Sequence, residues 1–215
     1  MDAVSSPPRR RGRPPRQPDS LADTRERLLR AGLEVLTEKG FSVAGLDEIL
    51  RSARVPKGSF YHYYASKEAF GAALIDRYGA YFAARLDRHF DNAALAPLAR
   101  LQAFVDDACA GMRRFDFRRG CLIGKLGQEM NTLPEAFRAR LIATFGDWQA
   151  RLARCLAAAR EAGEIPPATD CERLAAFFWT GWEGAVLRAG LERSTVPLQD
   201  FATHFLACAA ARAPA

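Results

Sequence analysis

Residues Ala53–Phe70 read ARVPKGSFYHYYASKEAF, with Tyr61, His62, Tyr63 and Tyr64 in an unbroken row between Lys57 and Lys67. A short core helix hides its rings on one stripe and turns charge to water. Consecutive side chains with apolar bodies and polar tips instead suit a surface that uses both. Arg54-Val55-Pro56 ends the helix before it, because the residue ahead of a proline resists helical backbone. Proline suits a first helical turn, so a new helix starts at Pro56 or Lys57 and runs to about Tyr63. Upstream, Leu46, Ile49 and Leu50 share one face of a helix over about 46–53. Two short helices joined by a tight turn make a helix-turn-helix, whose second helix enters the DNA major groove. Gly58 lets that helix bring its free N–H groups close to a phosphate. For Phe60 and Tyr64 a core role fits equally well, since aromatics at helical spacing pack inward.

The pattern on either side is helical throughout. Leu21, Leu28, Leu29, Leu33 and Leu36 recur at helical spacing up to Lys39-Gly40, a cation and a glycine stop. Ser66 reads as the N-cap of a long helix with Phe70, Leu74, Ile75, Tyr78, Phe82 and Leu86 on its apolar stripe. Beyond Asn92, helices are predicted over Pro97–Arg114, Gly120 or Cys121–Met130, Pro134–Ala162, Thr169–Leu191 and Pro197 to about Ala211. No stretch alternates as a strand would, so the fold class is all-α. The expected organisation is a basic arm over 1–18, a helix-turn-helix DNA-binding domain over 19–66, and a ligand-binding and dimerisation domain over 67–215.

Composition sets limits on function. The 215 residues are 49% hydrophobic and carry a net charge of +6, enough to bury a core and to favour an anionic partner. Apolar runs are interrupted well short of the roughly 20 residues a bilayer requires, so a soluble, cytoplasmic protein without a membrane partner is expected. The 5 cysteines form no metal-ligand spacing, and the odd number argues against a disulfide framework. No metal or cofactor is called for. An enzyme with Cys121 as nucleophile lacks a base, because His62, His89 and His204 fall in other predicted elements.

The segments Leu46-Asp47-Glu48-Ile49, Ala53–Tyr64 and Ser66-Lys67-Glu68-Ala69-Phe70 resemble the DNA-binding signature of TetR-type repressors. That resemblance implies DNA contacts from Lys57, Gly58, Tyr61 and His62, a phosphate clamp from Lys67, and further contacts from Ser59 and Tyr63. Two positions depart from the family pattern: Gly45 stands where a hydroxyl residue caps the second helix, and Arg54 where the turn has glycine. Ser42 is a candidate phosphate contact in compensation. The arm adds Arg9, Arg10, Arg11 and Arg13 around an Arg11-Gly12-Arg13-Pro14 core, which suits the narrow minor groove of A·T-rich DNA.

The remaining two-thirds should hold an effector pocket and a dimer interface. Symmetric half-sites require a twofold dimer, and the last two helices offer Leu174, Phe177, Phe178, Gly181, Ala185, Phe201 and Phe205 for it. The same apolar pattern would equally close a monomer's own core. In Arg118-Arg119-Gly120-Cys121, a helix start and two cations predict a depressed thiol pKa, although a small buried hydrophobe is the commoner role of a free cysteine. RRGCLIGKLGQEM (Arg118–Met130) and FWTGWEGAVLRAGLE (Phe178–Glu192) resemble an acrylate- and electrophile-responsive subgroup of these repressors. The subgroup resemblance implies a lysine where Gly190 stands, so a cysteine–lysine redox switch is not expected. A pocket between the two segments would use Trp179 and Trp182 as walls, Glu183 as a buried carboxylate, Arg118, Lys125 or Gln128 as polar anchor, and Cys121 beside the ligand. The expected function is an operator-binding dimer released by a small unsaturated carboxylate or electrophile. The alternatives are a sensor modified covalently at Cys121 and a DNA binder without an effector.

Overall fold

A computed structural model describes residues 21–211. The four arm arginines therefore lie outside the described residues. Within them the chain is all-helical, in the order α1 (Leu21–Lys39), α2 (Leu46–Ala53), α3 (Lys57–Tyr63), α4 (Lys67–Phe90), α5 (Pro97–Arg114), α6 (Leu122–Gln128), α7 (Glu135–Glu161), α8 (Cys171–Glu192) and α9 (Val196–Ala210).

The first three helices close over a small core completed by the start of α4. Leu28, Leu36, Ile49, Phe60 and Leu74 are fully buried there. Phe60 and Phe70 meet edge to face with centroids 5.3 Å apart, and Tyr64 sits 4.8 Å from Phe70. A buried side chain of this size contributes about 1.5–3 kcal/mol. Phe60 and Tyr64 are thus core residues, while Tyr61 next to them is 52% exposed. The aromatic row divides by helical phase.

Both departures at the helix-turn-helix have local solutions. Gly45 caps α2 from an extended backbone without a side-chain hydrogen bond. Arg54 adopts the left-handed conformation at φ 55°, and Val55 N–H donates to Leu50 O at 3.0 Å, closing the helix as a glycine would. Ser66 caps α4 as read, accepting from Ala69 N–H at 3.1 Å.

Helix α4 passes from this unit into the larger bundle, where α7 packs against α4 and α8, and α9 against α8. Phe82, Phe104, Trp148 and Trp179 build its centre, with Phe82 and Trp148 centroids 4.4 Å apart and Trp148 and Trp179 5.3 Å apart. Arg151 on α7 reaches Asp87 on α4, tying these helices at their surface. Among the described residues no helix is long and apolar enough to cross a membrane, and no cluster of side chains could hold a metal ion.

Helix α6 is shorter than its periodicity suggests. Asp116 (φ 51°) and Phe117 (φ 56°) turn the chain sharply after α5, and Cys121 becomes the N-cap rather than part of the first turn. Left-handed backbone at two successive non-glycine residues is uncommon and has to be held by its surroundings.

Candidate functional site

Two regions combine unusual residues with accessibility. The first is the outer face of α3. Lys57, Gly58, Tyr61 and His62 are exposed there, with Ser59 and Tyr63 partly covered. Lys57 Nζ lies 3.4 Å from Asp47, but both side chains are largely in water, so this pair is weak and leaves the ammonium available to an anion. A Cβ built on Gly58 meets nothing within 4 Å, so this side of the helix start is open to an approaching backbone. The His62 ring packs edge-on against Tyr63, 5.4 Å between centroids.

Two other expected contacts turn toward the protein. Lys67 donates to Phe41 O at 2.9 Å and lies over the Phe41 ring at 4.5 Å. Ser42 N–H donates to Glu129 Oε2 at 2.8 Å, and its hydroxyl meets Thr132 Oγ1 at 3.1 Å. Both contacts fasten the α1–α2 connection: Lys67 holds it from the start of α4, and Ser42, within the connection, is held by Glu129 and Thr132 after α6.

The second region is a cavity of about 440 Å³ bordered by α1, α4, α5, α8 and the connection leading into α6. Tyr78, Phe82, Phe104, Met112 and Trp182 supply apolar wall, and Cys121 and Glu183 stand together on its inner side. Of the residues expected in the pocket, it brings together Cys121, Trp182 and Glu183. Trp179 is instead buried in the bundle centre, Arg118 and Gln128 are exposed outside the cavity, and Lys125 donates to Glu38 O at 2.8 Å. The periodicity that marked these residues as a group carries no information about which side of α6 faces α8. Tyr78, Phe104 and Arg119 were missed as pocket residues; Tyr78 signalled only as part of the α4 stripe.

The chemistry of the inner wall also differs from the expectation. Burial pushes the Cys121 thiol well above its usual range, and the neighbouring Glu183 carboxyl pushes it further. The expected thiolate fails because Arg119 is drawn away to Glu38, at 2.9 Å, and Arg118 points to solvent. Glu183 in turn is raised to about 7, chiefly by burial and against the effect of its hydrogen bond with Cys121. One of its oxygens is enclosed with no hydrogen-bond partner, and the other would lie 1.9 Å from a Cβ at position 124. Gly124 is therefore required for this carboxyl to lie against α6. Burial likewise raises the Tyr78 hydroxyl, which shares this corner. With Glu183 near 7 and the thiol raised, this corner is at most part-ionised at neutral pH, and arginines are among the other residues that line the cavity.

A helix-turn-helix unit with a bare recognition face, joined by α4 to a helical bundle with an internal cavity, defines a DNA-binding regulator that has room for an effector. Residues 28–74 match the model of bacterial regulatory proteins of the tetR family, and residues 97–205 match the tetracyclin repressor-like C-terminal domain. The chain is 55% identical over 197 residues to the transcriptional regulator AcuR of Cereibacter sphaeroides, covering 91% of this chain and 89% of that protein. The crystal structure of regulatory protein TetR from Rhodobacter sphaeroides superposes with a TM-score of 0.84 at 53% identity, covering 86% of this chain and 97% of that one. The reduced form of Escherichia coli NemR superposes with a TM-score of 0.76 at 34% identity, over 85% and 95%. The protein belongs to the TetR family of transcriptional regulators; it is a DNA-binding repressor and not an enzyme.

Proposed function

We propose that the protein binds a palindromic operator as a homodimer and is released by a small unsaturated carboxylate of the acrylate type held reversibly in the cavity. The observation that carries the effector half is the cavity itself: apolar walls, a corner at Cys121 and Glu183 where burial disfavours charge, and arginines among its lining residues. An unsaturated chain suits the walls, and its carboxylate is excluded from the inner corner, where Glu183 would repel it once ionised. It is matched by an arginine. The resemblance of Arg118–Met130 and Phe178–Glu192 to the acrylate-responsive subgroup supports the same ligand class. A thiol held protonated serves as a wall, which favours reversible binding.

The dimer is assigned to α8 and α9. Phe177, Leu187, Leu191 and Val196 are exposed on these helices at 60%, 45%, 75% and 52%, while Phe178, Ala185 and Phe205 close the chain's own core. A second copy is the occupant that twofold operator recognition requires. Helix α3 of each copy would then read one half-site through Lys57, Gly58, Tyr61 and His62. Ser59 and Tyr63 stand beside them.

One juxtaposition favours a second reading. Glu183 can accept the Cys121 thiol proton and return it to the α-carbon as sulfur adds across the ligand's double bond, giving a thioether without any redox partner. Mass spectrometry of protein incubated with acrylate separates the two readings: unmodified protein that nevertheless releases operator supports reversible binding, and a one-acrylate adduct at Cys121 formed on the same timescale as release supports the covalent route.

A further inference from the structure

Four arginines line the cavity: Arg30, exposed on α1, and three that are already paired with carboxylates. Arg77 bonds Glu26 at 2.7 Å, Arg85 bonds Asp107 at 2.8 Å, and Arg119 bonds Glu38 at 2.9 Å. They differ in what they hold. Arg85 and Asp107 join α4 to α5, away from the DNA-reading helices. Arg77 and Glu26 reach α1 but are about half exposed, where water and salt weaken an ion pair. Arg119 and Glu38 are sheltered, at 25% and 28% exposure, and Glu38 sits at the end of α1, immediately before the connection to the helix-turn-helix. The Arg119 guanidinium is also stacked 4.5 Å over the Phe115 ring, which fixes its plane.

This pair is one of several ties between the α6 region and that connection. Lys125 Nζ donates to Glu38 O, Glu129 receives Ser42 N–H, and Ser42 meets Thr132. Gly40, at φ 81°, admits the Glu129 carboxylate so closely that any Cβ would overlap it. The segment that carries Cys121 is therefore attached to the segment that positions α2, and among these ties Arg119 is the one that also lines the cavity.

Building on the effector reading above, we propose that Arg119 is the effector's carboxylate anchor and that binding works by exchange: the ligand carboxylate displaces Glu38 from Arg119, freeing the end of α1 and lowering operator affinity. The charge on the ligand, rather than its double bond, is the signal. A neutral ligand of the same shape fills the cavity and leaves the Arg119–Glu38 pair in place.

The test compares acrylate with acrylamide, its neutral analogue, on the full-length wild type and on Glu38→Gln. Operator affinity is read by fluorescence anisotropy on a duplex selected from a random pool, and ligand binding by calorimetry. For the wild type, acrylate should weaken operator binding by about tenfold or more and acrylamide by less than about twofold. Glu38→Gln should bind operator several-fold more weakly without ligand and bind acrylate at least as tightly as the wild type. Its remaining response to acrylate should be within about twofold. Arg119→Lys, which keeps the charge but loses the planar fork, should weaken acrylate binding while the protein still binds operator. Equal release by acrylamide, or a full acrylate response in Glu38→Gln, would overturn the exchange while leaving the effector assignment standing. No binding of acrylate to the wild type would overturn both.

Discussion

At the residue scale, neighbouring groups set the chemistry of the side chains that matter most. Lys57 and Tyr61 are exposed and contribute little to the core, so Lys57→Ala with Tyr61→Ala should leave the thermal unfolding temperature nearly unchanged. Operator affinity should fall by about 2–5 kcal/mol, given about 1–3 kcal/mol for each good contact. An undiminished operator shift would remove α3 as the reading helix. Glu183 provides a second test. Its folded pKa of about 7 lies above the ordinary 4.5, so the unfolded chain ionises first and folding stability falls as pH rises between those values, then levels off. The stability lost between pH 5 and 8 should be smaller in Glu183→Gln by up to about 3 kcal/mol, measured by urea unfolding across that range. Parallel pH profiles for the two proteins would contradict the enclosed carboxyl.

At the scale of elements, most of the helix plan was legible because caps, prolines and apolar stripes are local signals. Ser66 and the Pro56–Lys57 start behaved as read. The third helix was identified by its order of residue types, yet only the structure divides Phe60 and Tyr64, which pack inward, from Tyr61 and His62, which do not. Helix α6 was less legible: two left-handed residues ahead of it move Cys121 to the cap and rotate Lys125 and Gln128 away from the cavity. No periodicity reports such a turn. The reversed chemistry at Cys121 was illegible for the same reason, since it depends on Glu183 arriving from α8 and on Glu38 claiming Arg119 from α1, both distant in sequence. The arginine in the turn gives a clean prediction. Arg54 bears the cost of left-handed backbone that glycine avoids, so Arg54→Gly should stabilise the protein by about 1 kcal/mol in urea unfolding. A loss of stability would mean the Arg54 side chain contributes more than its backbone costs.

For the whole molecule, the cavity and the outer face of α3 are separate sites joined through α1, α4 and α6, and in the proposed dimer the α8–α9 face would set the spacing at which two α3 helices meet DNA. Phe177→Glu places a charge on the exposed α8 face without entering the core. Sedimentation should then show a folded monomer with at least a tenfold loss of operator affinity, since each half-site would bind alone. A dimer that persists would move the interface elsewhere on the surface. Effector-driven release is measured by titrating acrylate into the wild-type protein bound to its selected operator, followed by anisotropy. Release should be saturable at a ratio of one effector per cavity, with free protein still folded and dimeric. Operator affinity that stays constant while acrylate demonstrably occupies the protein would contradict effector-driven release.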